Sequence, residues 1–248
     1  MLEHSFWYIL LISNMTLSFD QIDVGNVLAP LWSIMVEIQF YFAIIPILIF
    51  FMKKKLKYVM YIAILLIIIS LLYRYIASNP KFIYSFLIGR LDAFGFGILL
   101  GYLYFHFDIV KTLRHKFTQL TILIFILLTI GLSTSLGHPT YQDTSIFVYF
   151  FSSLGCFLIL IFVLTNSIVS NIFQFNWFVY LGKISLGLYL FHTSSIYLIK
   201  IFNPEQIFEP YMSLFFGLLI SIFMAHFSYK YFEKYFLNLK IRFEKVHH

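Results

Sequence analysis

Residues 31–42 of the chain read LWSIMVEIQFYF. This stretch holds a carboxylate, Glu37, and an amide, Gln39, inside an apolar run long enough to cross a membrane. A charged side chain at membrane depth costs roughly 3 kcal/mol on insertion scales and by default marks a functional site. The stretch therefore predicts a membrane-spanning helix that carries part of such a site.

The composition of the whole chain supports the same class of protein. Its 248 residues are 61% hydrophobic and only 11% charged, whereas soluble domains carry about 25% charged residues. The single cysteine, Cys156, excludes a disulfide framework. The net charge of +6 comes from basic residues that lie between apolar runs. Basic residues in such positions determine the orientation of membrane helices, so we interpret them as topology determinants and expect no nucleic-acid partner.

Seven apolar runs are long enough to span a bilayer, which takes about 20 residues per helix. They lie at about 28–51, 58–77, 83–106, 119–136, 145–165, 178–200 and 212–236. A further stretch, residues 5–19, is apolar but short, and we interpret it as a re-entrant or interfacial segment, or as the end of a further helix. Runs this continuous do not fit barrel strands. The sequence predicts an all-α polytopic bundle of about seven to eight spans.

Basic residues in the loops predict the orientation of the chain. Thirteen of them fall on one side, which we assign to the cytoplasm: Lys53, Lys54, Lys55, Lys57, Lys111, Arg114, Lys116, Lys183, Lys230, Lys234, Lys240, Arg242 and Lys245. Four fall on the other side: Arg74, Lys81, Arg90 and Lys200. We therefore expect a cytoplasmic C-terminus and a Glu37 helix that runs from outside to inside.

Polar residues recur on single faces of two predicted spans. On one span, Ser33, Glu37 and Tyr41 repeat at i, i+4 and i+8 and so share a face. On the other, Ser185, Tyr189 and His192 repeat at i, i+4 and i+7 and also share a face. At a rise of about 1.5 Å per residue, Glu37 and His192 each lie roughly 10 Å below the outer surface. Arg90 and Asp92 lie about two helical turns from the outer end of a third span.

Four ionisable residues from three spans are thus predicted to converge near the outer leaflet. One interpretation is a structural ion-pair network, for example Glu37 with Arg90, that fixes helix packing. The other is a polar cavity that holds a general base, an orienting carboxylate and a cation for developing negative charge. Composition and spacing leave both open. Two further features predict packing alone: the Gly97 and Gly101 pair with Gly95 nearby, and a hydrogen-bonded His226.

Four segments, in the correct order, resemble the acyltransferase-3 family of integral membrane acyltransferases. Residues 31–41, LWSIMVEIQFY, are similar to its "LWSLSVEEQFY", and residues 89–97, GRLDAFGFG, to its "R-x-D-A-F-x-x-G". Residues 181–192, LGKISLGLYLFH, are similar to "LGRISYSLYLWH", and residues 228–236, SYKYFEKYF, to the closing "SYRFIEKPF". The resemblance implies one membrane-embedded acyltransferase-like domain over residues 1–248.

The chain also departs from the family pattern. Ile38 replaces the second carboxylate of the first motif, and Tyr235 stands where the family often has proline. The family's first helices, which carry an Arg and a His, have no counterpart near Met1. We therefore expect an N-terminally truncated member of the family. An inactive fragment is one alternative function, and a non-catalytic transporter or export component is another.

The resemblance implies transfer of an acyl group, usually acetyl, from acyl-CoA to a hydroxyl of an envelope carbohydrate or glycolipid, such as lipopolysaccharide, capsule or exopolysaccharide. It implies a bacterial inner-membrane protein with lipid around it, acyl-CoA as a substrate and no tightly bound cofactor or metal. The catalytic residues would be Glu37, Arg90, Asp92 and His192. The substrate-binding residues would be Trp32, Ser33, Tyr41, Ser185, Tyr189 and Lys183, with Lys111, Arg114 and Lys116 attracting the phosphates of the donor.

Overall fold

The computed structural model describes residues 10–18, 30–77, 79–136, 142–202 and 210–243. This described part of the chain is helical and contains no β-strand. Its α-helices are α1 (Ser13–Ser18), α2 (Leu31–Met52), α3 (Lys57–Ile76), α4 (Pro80–Ser85), α5 (Leu91–His106), α6 (Ile109–Thr112), α7 (Lys116–Ser135), α8 (Gln142–Thr165), α9 (Ser167–Phe173), α10 (Asn176–Lys183), α11 (Ser185–Phe202), α12 (Pro210–Ser228) and α13 (Lys234–Phe243). A 3₁₀ turn, Ile88–Arg90, precedes α5, and a π-helical turn, Tyr229–Glu233, joins α12 to α13.

Six of the described helices are long and apolar enough to cross a membrane, and the number rises to seven if α10 and α11 form one span. The six are Leu31–Met52, Lys57–Ile76, Ile88–His106, Lys116–Ser135, Ile146–Thr165 and Tyr211–Leu239. The predicted all-α polytopic bundle is confirmed. The side of the membrane on which the C-terminus lies stays a prediction.

The predicted span at residues 178–200 is not one continuous helix. The chain bends by 68° between α10 and α11, at Ile184. Gly182 and Gly187 stand on either side of this position, and glycine is the least favourable residue in a helix interior after proline. Hydropathy averages over such a bend, because the residues on both sides of it remain apolar.

The chain divides into two compact units. The first consists of Met1–Ile22 and Trp32–Ile172, and the second of Asp23–Leu31 and Phe173–His248. The first unit holds the segment with Glu37, Arg90 and Asp92, and the second unit holds His192. Each unit has its own packing.

Large apolar side chains join α2, α3 and α5 in the first unit. Phe40, Leu66 and Leu91 form a buried cluster. The ring of Phe40 stacks on that of Phe94, with centroids 4.0 Å apart and planes 7° from parallel. This cluster fixes α2 beside the start of α5, and it therefore positions the LWSIMVEIQFYF segment relative to Arg90.

A single glycine allows α5 to approach α3 closely. A Cβ atom added at Gly95 would lie 2.8 Å from the Ala63 carbonyl oxygen and 2.8 Å from Cγ1 of Ile67. A Cβ added at Gly97 or Gly101 would meet no atom of the described residues within 4 Å. The close approach that the sequence predicted here therefore depends on Gly95 and not on the Gly97 and Gly101 pair.

We expect Gly95→Ala to lower the free energy of unfolding by about 1–3 kcal/mol, because the added methyl group overpacks the α3–α5 contact. Gly97→Ala is the matched control, since the same methyl group meets open space there and removes a helix-destabilising glycine. Denaturation of the purified variants in detergent measures both effects. Equal stability of the two variants would contradict this account of the packing.

The second unit packs α11 against α12. A Cβ added at Gly187 would lie 3.0 Å from both Cα and Cβ of Ala225, which is fully buried. The same position lies 3.4 Å from Oε1 of Glu233, and the hydroxyl of Ser228 donates to this oxygen over 3.1 Å. The bent segment α10–α11 is thus held against the π-helical turn that follows α12.

Candidate active site

A buried ion pair between Arg74 and Asp92 lies at the junction of α3 and α5. Arg74 is in the last turn of α3 and Asp92 is in the first turn of α5, and both side chains are 0% exposed. The Asp92 oxygen Oδ1 accepts from Arg74 and, over 3.4 Å, from the Ser70 hydroxyl. Its Oδ2 has no hydrogen-bond partner among the described residues. The predicted site residue Asp92 is therefore enclosed by the chain and paired with an arginine.

Arg74 is a residue that sequence reasoning did not assign to the site. It was counted among the basic residues of an outer loop, but the structure places it inside a candidate membrane span, with its side chain fully buried. The sequence offered one signal: Arg74 follows Ser70 by four residues on the same helix. Residues four apart share a helix face, so this spacing puts two polar side chains on one face of an apolar helix. The carboxylate partner, Asp92, belongs to another helix and could not be found from that spacing.

Arg74 also binds the backbone of the turn before α5. Its Nε and Nη2 donate to the Gly89 carbonyl over 3.0 and 2.8 Å, and its Nη1 donates to the Ile146 carbonyl of α8 over 3.4 Å. A Cβ added at Gly89 would lie 2.2 Å from the Ile83 carbonyl oxygen, so this turn is pressed against the backbone of α4. Four helical elements are thus connected at one point.

Arg90 lies among three aromatic rings. Its guanidinium carbon is 4.1 Å from the ring centroid of Tyr149, 4.8 Å from that of Tyr84 and 5.7 Å from that of Trp32. Its Nε donates to the Tyr84 carbonyl over 3.0 Å. We call Arg90, Trp32, Tyr84 and Tyr149 the Arg90 cluster. It brings together two predicted site residues, Arg90 and Trp32, in the first unit.

Glu37 does not pair with Arg90. The only ion pair among the described residues joins Arg74 and Asp92. The ion pair of Glu37 with Arg90, which the sequence suggested as an example of a structural network, is therefore wrong. Glu37 is exposed and accepts a hydrogen bond from the Tyr41 hydroxyl one turn along α2. The predicted shared face of these residues is therefore observed, and Ser33 lies one turn before Glu37 on the same helix.

Gln39 connects α2 with the short helix α1. Its Nε2 donates to the carbonyl of Leu11 over 2.9 Å and to Oδ1 of Asn14 over 2.8 Å. Asn14 is fully buried and donates in turn to the Ser85 carbonyl over 2.9 Å. A buried amide pair with satisfied hydrogen bonds rigidifies its surroundings. The amide in the opening segment thus serves the packing of α1, α2 and α4.

The remaining predicted site residues belong to the second unit. Ser185, Tyr189 and His192 follow one another along α11, and Lys183 ends α10 at the bend. Nδ1 of His192 is in hydrogen-bond contact with the Tyr189 carbonyl oxygen. A carbonyl can only accept, so Nδ1 carries the hydrogen, and in the neutral ring the lone pair lies on Nε2. The predicted convergence of His192 with residues of the first unit stays a prediction.

His226, on α12, hydrogen-bonds through Nδ1 with the hydroxyl of Tyr180 on α10. This contact agrees with the packing role that the sequence predicted. In the described part of the chain, no group of three or more His, Cys, Asp or Glu side chains could hold a metal ion.

A small groove lies between α5 and α8 but contains none of the predicted site residues. Its volume is about 220 Å³, and its lining residues are Ala93, Phe96, Gly97, Ser152, Ser153, Cys156, Phe157 and Leu160. None of these side chains carries a charge at neutral pH. The chemistry of the first unit is therefore concentrated at the Arg90 cluster and at Glu37, not in this groove.

The fold defines an integral membrane protein with ionisable side chains within its helices. Residues 4–229 match the family model Acyl_transf_3, whose description is "Acyltransferase domain". This match covers most of the chain, so the protein belongs to the acyltransferase-3 family and is a membrane acyltransferase in general terms. No curated protein and no solved structure matched significantly.

Proposed function

We propose that the chain transfers an acyl group, acetyl being the expected one, from acyl-CoA to a hydroxyl of an envelope carbohydrate or glycolipid. The observation that carries this proposal is the Arg90 cluster. A guanidinium that has no carboxylate partner among the described residues lies beside three aromatic rings, one of them Trp32 of the LWSIMVEIQFYF segment. Aromatic faces suit the apolar face of a sugar, and an unpaired cation suits developing negative charge.

The chemistry requires one bond to form and one to break. The acceptor hydroxyl oxygen attacks the thioester carbonyl carbon, and its proton passes to a base. The tetrahedral oxyanion then collapses, the carbon–sulfur bond breaks, and the CoA thiolate leaves and takes up a proton. Preorganised cations or N–H donors at the oxyanion commonly supply about 2.7–4 kcal/mol of transition-state stabilisation. We assign this role to Arg90.

Glu37 is the general base or orienting carboxylate in this proposal. It is exposed, so an acceptor hydroxyl can reach it, and Tyr41 holds one of its oxygens by donating a hydrogen bond. Ser33 lies on the same face of α2 and would bind the acceptor, while Trp32 would stack on a sugar ring. Asp92 is fully buried, and we propose that it acts on Arg74 rather than on substrate.

His192 would hydrogen-bond the acceptor or the donor through Nε2, since Nδ1 is occupied by the Tyr189 carbonyl. Ser185 and Tyr189 precede it on the same helix and would bind substrate. Lys183 is exposed at the end of α10 and would attract the phosphates of acyl-CoA. We propose the same role for three exposed basic residues of the first unit, Lys111, Arg114 and Lys116. Membrane lipid surrounds the apolar spans, and we place the protein in the bacterial inner membrane.

Incubation of membranes that contain the chain with radiolabelled acetyl-CoA tests the proposal. We expect alkali-labile label in the carbohydrate or glycolipid fraction, and we expect Glu37→Gln to lower its rate of appearance by about 100- to 10,000-fold if Glu37 is the base. Asp108→Asn is the matched control, because Asp108 is exposed and only caps the short helix α6. Absence of label from every fraction, with acetyl and longer acyl donors alike, would refute acyl transfer.

The bend between α10 and α11 favours one other function, since transporters often bind their substrates at discontinuous helices. In that case, liposomes that contain the chain would accumulate a labelled solute without forming any ester. Uptake without acylation would favour a transporter or export component, whereas ester formation favours the enzyme.

A further inference from the structure

We propose that Arg74 is a positioning residue that sets the place and orientation of Arg90. This inference rests on the charge-stabilising role proposed above for Arg90. Arg74 does not touch substrate in this account, because its side chain is fully buried. It acts by holding the 3₁₀ turn Ile88–Arg90 from both sides.

The contacts of Arg74 enclose Arg90 along the chain. Arg74 donates two hydrogen bonds to the carbonyl of Gly89, the residue before Arg90, and pairs with Asp92, two residues after it. The backbone before Arg90 and the side chain of a residue after it are therefore attached to one planar, rigid guanidinium. A shift of Arg74 would move both attachment points together.

The side chain of Arg90 depends on the same arrangement. Its Nε donates to the Tyr84 carbonyl of α4, and Gly89 allows the 3₁₀ turn to lie against the neighbouring Ile83 carbonyl. The ring of Tyr149 lies 4.1 Å from the Arg90 guanidinium carbon and 5.5 Å from that of Arg74. Arg74 also donates to Ile146, one turn before Tyr149 on α8. Arg74 thus fixes both the turn that carries Arg90 and the helix that carries its nearest ring.

The charges of Arg74, Asp92 and Arg90 agree with this division of roles between the two arginines. Two guanidinium groups and one carboxylate lie close together, and the carboxylate is paired with Arg74. The charge of Arg74 is therefore compensated inside the protein, which a buried ion requires. The charge of Arg90 remains for the substrate.

Lysine cannot replace arginine in such a position. An ammonium group is a compact point charge that would keep the attraction to Asp92. It lacks the planar arrangement of N–H groups that bonds Gly89, Asp92 and Ile146 in fixed directions. Arg74→Lys therefore separates positioning from charge compensation, and it is the variant of choice for the test.

The first measurement is the reactivity of Arg90 toward phenylglyoxal, a reagent for guanidinium groups, followed by mass spectrometry of the full chain in detergent. It requires no enzymatic activity. We expect Arg90 to react several-fold faster in Arg74→Lys than in the wild type, while exposed Arg114 serves as the internal reference. Gln119→Leu is the matched control, because Gln119 is also buried and hydrogen-bonded, to Leu113 and Thr165. It should leave the reactivity of Arg90 unchanged.

The second measurement is a double-mutant cycle of Arg74→Lys with Arg90→Lys on acyl transfer, per folded protein. Misplacement of a catalytic group by about 1 Å can cost about 100-fold in rate, and we expect a kcat decrease of that order in Arg74→Lys. In the Arg90→Lys background, the same substitution should have almost no further effect, because coupled residues are not additive. A merely structural role would give additive losses.

The two measurements distinguish the failure of this inference from the failure of the proposed function. Unchanged Arg90 reactivity in Arg74→Lys overturns the positioning role, and so do additive rate losses in the cycle. A wild-type chain without acyl transfer refutes the proposed function. Faster labelling of Arg90 in Arg74→Lys would still support the positioning of Arg90 by Arg74 in that case.

Discussion

Arg90→Gln is expected to lower kcat/KM for acyl transfer by about 100- to 1,000-fold, the usual cost of removing one group that stabilises an oxyanion. Among the described residues Arg90 forms no ion pair with a carboxylate, and glutamine keeps donor groups but not the charge. The amount of folded protein should change little, because the Arg74 and Asp92 pair, which connects the helices, remains intact. Steady-state kinetics with labelled acyl-CoA measure the effect.

Lys57→Gln is the control for this prediction, because Lys57 is exposed at the start of α3. The substitution removes one positive charge, as Arg90→Gln does, without changing the Arg90 cluster. Its kcat/KM should equal that of the wild type. Equal losses in the two variants would mean that the overall charge of the protein matters, not the position of Arg90. An active Arg90→Gln variant would remove Arg90 from the mechanism.

Asp92→Leu is expected to lower the free energy of unfolding by about 3–5 kcal/mol, because it leaves the fully buried Arg74 without its counter-charge. This is the largest stability effect that we predict for a single substitution. Arg74 would retain its bonds to the Gly89 and Ile146 carbonyls, which compensate only in part for the lost carboxylate. Equilibrium denaturation in mixed detergent measures the change.

The double variant Arg74→Met with Asp92→Leu should recover most of this loss, since apolar side chains can replace a buried ion pair at little cost in stability. It should nevertheless be inactive, because the turn before α5 loses its attachment. A double variant as unstable as the sum of the two single variants would contradict the ion-pair account. A stable and fully active double variant would contradict the link to Arg90.

Most of the fold was predictable because hydropathy is a local property. Each candidate span in the structure corresponds to one predicted apolar run, with ends that differ by a few residues. The bend at Ile184 was not predictable in this way, since the residues on both sides of it are apolar. Glycines flank it, but Gly97 and Gly101 show that glycines in an apolar helix need not mark a contact or a break.

The candidate site was predictable to a smaller extent. Helical spacing correctly placed Tyr41 beside Glu37, because residues four apart share a face. It could not predict that Asp92 pairs with Arg74, since that pair joins two helices and depends on their tertiary packing. Arg74 lies at the end of its apolar run, where a basic residue looks like part of a loop. Its burial shows only in the three-dimensional structure.

The most direct test of the central claim is isotope tracing with the purified chain in liposomes, deuterated acetyl-CoA and a saccharide or glycolipid acceptor. Mass spectrometry of the acceptor reads out the product. We expect a deuterated acetyl ester on an acceptor hydroxyl with the wild-type chain, and a strongly reduced amount with the same quantity of folded Arg90→Gln. An unmodified acceptor with the folded wild-type chain, or equal ester formation by both chains, would contradict it.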